Sequence, residues 1–301
     1  MADKPIGLIG LGLMGEVYAR RLIDAGYTVT GYDIDPARGG ELAAIGGRPA
    51  ASIADVARAS NIIILAVFNT DQCEEVTDEI LRIRGDGSGA IVLCTSTVDP
   101  DRIAALGKRA VKRGLRFLET PVSGTSEQVR RGDGVGLIGG DRKTAKEVDA
   151  LLAVLFPRRF QVGKIGDGGR TKLAINLILG LNRAALAEGL VFAKRLGLDL
   201  AAFLPVARES AAYSQIMDVK GPKMLSGDFA PEGRARQTLK DVQLMQAQAE
   251  QHGQALPMLA VHRNLLESLV KAGEGDLDNS AVIKEIDRRH AEPKAAKRAA
   301  S

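Results

Sequence analysis

Short, solidly apolar runs alternate with amphipathic stretches through the first half of the chain, a rhythm that predicts βαβ units around a parallel sheet. Pro5–Ile9 reads as a strand, LMGEVYARRLIDA (13–25) as a helix ending near Gly26, and YTVTGY (27–32) as a second strand. NIIILAV (61–67) is apolar after its first residue, as a central strand buried on both faces should be. AIVLC (90–94), LRFLE (115–119) and GVGLIGG (134–140) complete the sheet. Asp35-Pro36 and Asp99-Pro100 each supply an N-cap followed by proline at the first helical position. Past about residue 165 the rhythm changes. GGRTKLAINLILGLNRAALAEGLVFAKRLG (168–197) is apolar nearly all round, which predicts a helix buried on most sides. Helical signals continue to about residue 290, interrupted at Gly221-Pro222, FAPEG (229–233) and GEGD (273–276). The expected architecture is a doubly wound, mostly parallel α/β domain over 1–165, an all-helical domain over 166–290, and a basic flexible tail at 291–301.

The first strand runs into Gly10-Leu11-Gly12-Leu13-Met14-Gly15, a G-x-G-x-x-G turn with a strand before it and a helix after it. In such a Rossmann turn the first glycine permits the tight bend and the second lets backbone approach a pyrophosphate. The third lets helix and strand pack closely, and the helix N-terminus faces the phosphates. Asp33 closes the second strand, where a carboxylate accepts from the ribose hydroxyls and repels a 2′-phosphate. With Ile34 and Asp35 after it rather than arginine, the reading is NAD, with NADP as the alternative. The turns Ala66-Val67-Phe68 and Cys94–Pro100 also follow parallel strands, and Thr97 or Ser96 in the latter is placed to touch the nicotinamide side. Helix capping by Asp99, with no ligand role for its neighbours, explains that second turn nearly as well.

Composition changes the picture little. The chain has 301 residues, 45% apolar and 26% charged, in the ordinary range for a globular protein. The net charge of +4 owes much to residues 288–301, which hold five Lys/Arg against one Glu. With aromatics at 4%, that tail argues against nucleic acid as a partner. No apolar stretch approaches a bilayer span and the N-terminus lacks a cleavage pattern, so neither a membrane nor a leader is expected. Cys73 and Cys94 show no framework and no metal-type spacing, and the expected compartment is the cytoplasm.

Hydride transfer on an alcohol needs a group to take the hydroxyl proton. The histidines, His252, His262 and His290, all fall late, away from the strand ends. Lys172 sits in the first turns of an apolar helix directly after GDGG (166–169), with Asn176 one turn on and on the same face. On residues alone the plainer reading is a lysine snorkelling at a helix end. In TPVSG (120–124), Ser123 and the amides around Gly124 are placed to hold a substrate carboxylate or hydroxyl.

Taken in order, GLIGLGLMG, TSTVDP, ETPVSG, GDGGRTKLAIN, LKDVQLM and GEGDLDNSAVI resemble the signatures of the β-hydroxyacid dehydrogenase family, over nearly the whole chain. The resemblance implies an oxidoreductase that moves a hydride between a small β-hydroxy acid, or its semialdehyde, and NAD(P). It implies Lys172 as acid–base, Asn176 beside it, Ser123 and Gly124 as substrate ligands, and Thr97 by the nicotinamide. It further implies that Lys240 and Asp241 close over the cofactor, and that the helical domain, akin to that of the distantly related phosphogluconate dehydrogenases, builds a homodimer or homotetramer. The chain departs from the family at Thr125, where a second substrate-binding glycine is usual. It departs also at Ile175, where a first asparagine is usual, at Gly233 or Arg234 in place of a phenylalanine, and at Cys94 in place of an acid. Leu179 stands where phosphogluconate dehydrogenases carry an acid, which argues against oxidative decarboxylation. Imine reductases share the architecture but usually lack the lysine. A non-catalytic NAD-binding adaptor on the same fold is the remaining alternative.

Overall fold

Alternate residues of each central strand feed two different cores, and this is what makes the sheet double-sided. In a computed structural model describing residues 5–85 and 87–289, the strands are β1 (Ile6–Ile9), β2 (Val29–Tyr32), β3 (Arg48–Pro49), β4 (Ile62–Leu65), β5 (Ile91–Cys94), β6 (Arg116–Glu119), β7 (Val122–Ser123), β8 (Val135–Gly140) and β9 (Arg158–Gly163). His290 and the expected tail at 291–301 lie outside the described residues. Ile6, Leu8, Ile64, Ile91 and Leu93 point to one core, with Tyr18, Leu22 and Phe156. Ile9, Ile63, Leu65, Val92 and Cys94 point to the other, with Ile103, Leu106 and Phe117. The helices over these faces are α1 (Leu13–Asp24), α2 (Pro36–Ala44), α3 (Ile53–Ala59), α4 (Thr70–Arg84), α5 (Pro100–Lys112), α6 (Ser126–Arg130), α7 (Arg142–Glu147) and α8 (Asp149–Leu155).

The strand order is β3-β2-β1-β4-β5-β6-β8-β7, with β9 on β8. From β3 to β6 every pairing is parallel, and β8 runs antiparallel to β6 and β7. Strands β1, β2, β4, β5, β6 and β8 and the capped starts of α2 and α5 follow the hydrophobic pattern: Asp35 accepts from Ala37 N–H and Asp99 from Asp101 and Arg102. The short β3 and β7 and the half-exposed β9 were not expected. Two-residue strands carry no period, and β9 has arginines at its first two positions.

The described chain divides into two compact units between Asn176 and Leu177. The break falls inside α9 (Asp167–Arg195), 29 residues long. The remaining helices are α10 (Leu200–Arg208), α11 (Ile216–Ser226), α12 (Ala235–Gln251), α13 (Pro257–Leu269) and α14 (Val282–Arg288). In the second unit, Leu186, Ala187 and Leu190 of α9 pack with Leu204, Met217, Met224, Leu265 and Val282. Two expectations about α9 change. Ile178 and Phe192 are exposed, at 61% and 64%, so the helix is not covered on most sides within one chain. Because it continues unbroken through Gly180 and Asn182, it is also long and apolar enough to cross a membrane by length and composition, although its core residues do the work of a packed helix here.

Candidate active site

The carboxyl ends of the parallel strands are stitched side by side, and the turns that leave them form one edge. Gly10 N–H donates to Tyr32 O (2.9 Å), Ala66 N–H to Ile9 O (2.8 Å), Thr95 N–H to Leu65 O (2.9 Å) and Thr120 N–H to Cys94 O (2.7 Å). The chain order reverses between β1 and β4, the crevice where sheets of this type take ligands.

Beside that crevice the three glycines of the first turn meet different constraints. Gly10 has φ +93°, and a Cβ there would strike Ala66 O; a Cβ on Gly15 would strike Gly10 O. Gly12 is the opposite case: nothing lies within 4 Å of where its Cβ would be. It is the N-cap of α1, in extended conformation, with no side chain bonded to the cap. The first intrahelical bond is from Glu16 N–H to Gly12 O, so the amides of Leu13, Met14 and Gly15 precede the helical ladder and present a partial positive charge. The open space and uncapped amides fit a dinucleotide diphosphate. Asp33 braces the turn, its Oδ2 accepting from Leu11 N–H (2.6 Å) and its Oδ1 from Asp35 N–H (2.9 Å). A carboxylate has about four acceptor positions, so two bonds leave capacity for ribose hydroxyls.

Neighbouring turns are held by their own hydroxyls. Thr95 Oγ1 donates to Leu65 O (2.8 Å) and Ser96 Oγ to Val67 O (2.7 Å), so Ser96 is spent on backbone while Thr97 is half-buried beside it. Ala66 and Val67 are half-buried, and Phe68 is exposed with its N–H on Gln72 Oε1 (2.8 Å). Cys94 lies 3.7 Å from Cys73, and that contact together with burial pushes its thiol well up.

The turn after β6 carries Ser123, half-buried in β7 opposite Val135, and Gly124 at φ +148°. Thr125 caps α6 in a reciprocal box: its Oγ1 accepts from Gln128 N–H (3.2 Å) and its own N–H donates to Gln128 Oε1 (2.9 Å). The hydroxyl at this position therefore has a local structural use.

Glu119, which sequence reasoning passed over, ends β6 with its side chain fully buried. Its Oε2 accepts from Gly166 N–H and its Oε1 from Gly169 N–H, both at 2.7 Å, so it grips the opening of α9. Burial raises its carboxyl to about 7, against the pull of the Gly166, Gly169 and Gly168 amides and of Arg170. The available signal was an acid ending an apolar strand and a glycine-dense turn far along the chain. Lys172 is buried in the first turns of α9, with the half-buried Asn176 one turn on. Arg170 is bonded to Asp167 (3.0 Å) and to Asp101.

In the second unit, α12 carries Lys240 and Asp241, with Nζ–Oδ1 at 3.2 Å. Buried Lys220 pairs with the fully buried Asp278 (3.0 Å) and with Glu232 (3.2 Å). Asp278 also accepts from the amides of Glu232 and Gly233 and from Ser280, and despite burial Lys220 and the Ser280 and Glu232 hydrogen bonds hold its carboxyl below the usual range. His262 is buried, and desolvation with the Arg183 charge drives its pKa down to about 3, which suits a neutral packing residue.

The family description "NAD binding domain of 6-phosphogluconate dehydrogenase" matches residues 5–163, and "NAD-binding of NADP-dependent 3-hydroxyisobutyrate dehydrogenase" matches 166–286. L-threonate dehydrogenase of Cupriavidus necator is 30% identical over 287 residues, 94% of this chain and 96% of that one. 2-(Hydroxymethyl)glutarate dehydrogenase of Eubacterium barkeri is 30% identical over 287 residues, 93% of each. The crystal structure of 3-hydroxyisobutyrate dehydrogenase from Salmonella typhimurium superposes with a TM-score of 0.85 at 26% identity, covering 94% of this chain and 99% of that one. With the two family descriptions matching nearly the whole described chain between them, this chain belongs to the β-hydroxyacid dehydrogenase family of NAD(P)-dependent oxidoreductases.

Proposed function

We propose that the protein oxidises a small β-hydroxy acid, or reduces the matching semialdehyde, with Lys172 as the acid–base. The observation that carries this reading is the bonding of Glu119, at the end of β6, to the start of α9, which joins the strand that leads into Ser123 and Gly124 to the helix bearing the buried lysine. The Gly10–Gly15 turn and Asp33 would hold a dinucleotide, whose nicotinamide would supply the hydride acceptor in oxidation and the hydride donor in reduction. Lys172 Nζ removes the hydroxyl proton as the carbonyl forms, and gives it back in the reverse direction. Asn176 and Ser123, with the amide of Gly124 and the side chain of Thr125, orient hydroxyl and carboxylate, so that binding energy is spent on alignment. Asp33 favours NAD over NADP, because a 2′-phosphate would meet its charge. Lys240 and Asp241 are assigned to the cofactor through the family resemblance.

Exposed Ile178 and Phe192 on α9, with Met258 and Val261 on α13, support a homo-oligomer assembled through the helical unit. The two buried free thiols fit a reducing compartment such as the cytoplasm.

The test is Lys172→Ala, assayed on 3-hydroxyisobutyrate, glycerate, threonate and hydroxybutyrate with NAD and with NADP. Turnover should fall by on the order of 10²–10⁴ while NAD affinity changes little. Wild-type turnover in the variant would remove Lys172 from the chemistry.

A further inference from the structure

Glu119 occupies a place in unit 1 that no cofactor or substrate role explains. It ends β6, and the segment that follows it is Thr120–Gly124, the substrate turn. Its two oxygens take the Gly166 and Gly169 amides, and Lys172 is three residues beyond Gly169. Glycine backbone closes round the carboxylate from two elements. A Cβ on Gly168 or on Gly139 of β8 would lie 3.0 Å from a Glu119 oxygen, and one on Gly169 2.7 Å. This is a fitted socket, in which an anion from a strand caps the helix that carries the lysine.

We propose that Glu119 is a positioning residue that holds Lys172 in register with the substrate turn, and that it does so only as the carboxylate. The inference rests on Lys172 being the acid–base. Both oxygens face N–H donors, so a protonated oxygen would set one donor against another and release an amide at the start of α9. A shift of about 1 Å in the lysine is enough to cost on the order of 10²-fold in rate.

The charged and titratable groups acting on Glu119 are few. Arg170 attracts it from α9, but that guanidinium is shared with Asp101 of α5 and Asp167. From β5 the Cys94 thiol faces it, pushed up by its contact with Cys73 of α4, by burial and by the Glu119 charge. Burial outweighs the hydrogen bonds, which leaves the carboxyl titrating at about 7, inside the working range of an enzyme.

The reductive direction separates the two groups. There Lys172 must carry its proton, so it sets the alkaline limb of the rate profile, and Glu119 must be ionised, so it sets the acid limb. The experiment follows kcat against pH, from about 5.5 to 9, for the semialdehyde of whichever hydroxy acid in the panel turns over best. Wild type should show an acid limb centred near 7. Glu119→Gln should lower kcat by on the order of 10²-fold, leave KM for the dinucleotide unchanged and lose that limb. A Glu119→Gln enzyme with wild-type kcat and an unchanged acid limb overturns the proposal, and a dead Lys172→Ala control shows that the functional reading survives it. Wild-type turnover by Lys172→Ala overturns the functional reading instead. Should Glu119→Gln fail to fold, hydrogen exchange on the wild-type protein decides. Protection of residues 166–172, corrected for intrinsic rate, should drop between pH 8 and 6, and pH-independent protection contradicts the switch.

Discussion

Two helix starts, α1 and α9, pose the same electrostatic problem and meet it in opposite ways. Each follows a glycine-rich turn, Gly10–Gly15 or Gly166–Gly169, and each presents amides that precede the helical ladder. At α9 the protein supplies the anion itself, and Glu119 fills the socket. At α1 the cap has no side-chain partner and the space over Gly12 is open. A helix N-terminus is an anion site wherever it occurs. Whether the anion is a residue or a ligand decides whether the site is structural or functional. Glu119 gains its bonds at a cost in desolvation: as pH rises from the ordinary carboxylate range through about 7, ionising it draws on the stability of the fold.

Asp278 is a third anion over backbone amides, in the helical unit, and it differs from Glu119 in having a buried cation against it. The largest effect on stability is expected there. Lys220→Met leaves Asp278 buried without its partner and should cost about 3–5 kcal/mol in a denaturant melt. A cost under about 1 kcal/mol would mean that the amides and the Ser280 hydroxyl satisfy Asp278 without the cation. A smaller effect is expected at Thr125, where the self-made cap of α6 directly follows the proposed substrate residues Ser123 and Gly124. Thr125→Gly should lose only about a few tenths of a kcal/mol from the cap, measured by the same melt, and should shift KM for the hydroxy acid more than KM for NAD. No change in either KM would make Thr125 a cap only.

How much of this was legible in the sequence follows the range of the interactions. Gly10–Gly15, the Asp35 and Asp99 caps and the apolar strands are local, set by residues a few positions apart, and the pattern of the chain carries them. Glu119 and Gly166 are 47 residues apart, and Lys220 and Asp278 58 apart. No period or motif links such pairs, so only the fold reveals them. The all-round apolarity of α9 was plain, but it could not separate buried positions from exposed ones such as Ile178 and Phe192. Thr125 stood out as a departure, whereas its reciprocal bond with Gln128 needed coordinates.

The most direct test is to make α1 resemble α9. Gly12→Asp places a carboxylate at the open cap, at φ −66° and ψ −163°, where a side chain meets nothing within 4 Å, so the fold should tolerate it. The measurement is the NAD dissociation constant by calorimetry, beside the thermal midpoint. The account predicts affinity weakened by about 100-fold or more, roughly 2.7 kcal/mol, with the midpoint unchanged or raised by the new cap. NAD binding within about threefold of wild type would contradict it, and would move the dinucleotide away from the Gly10–Gly15 turn.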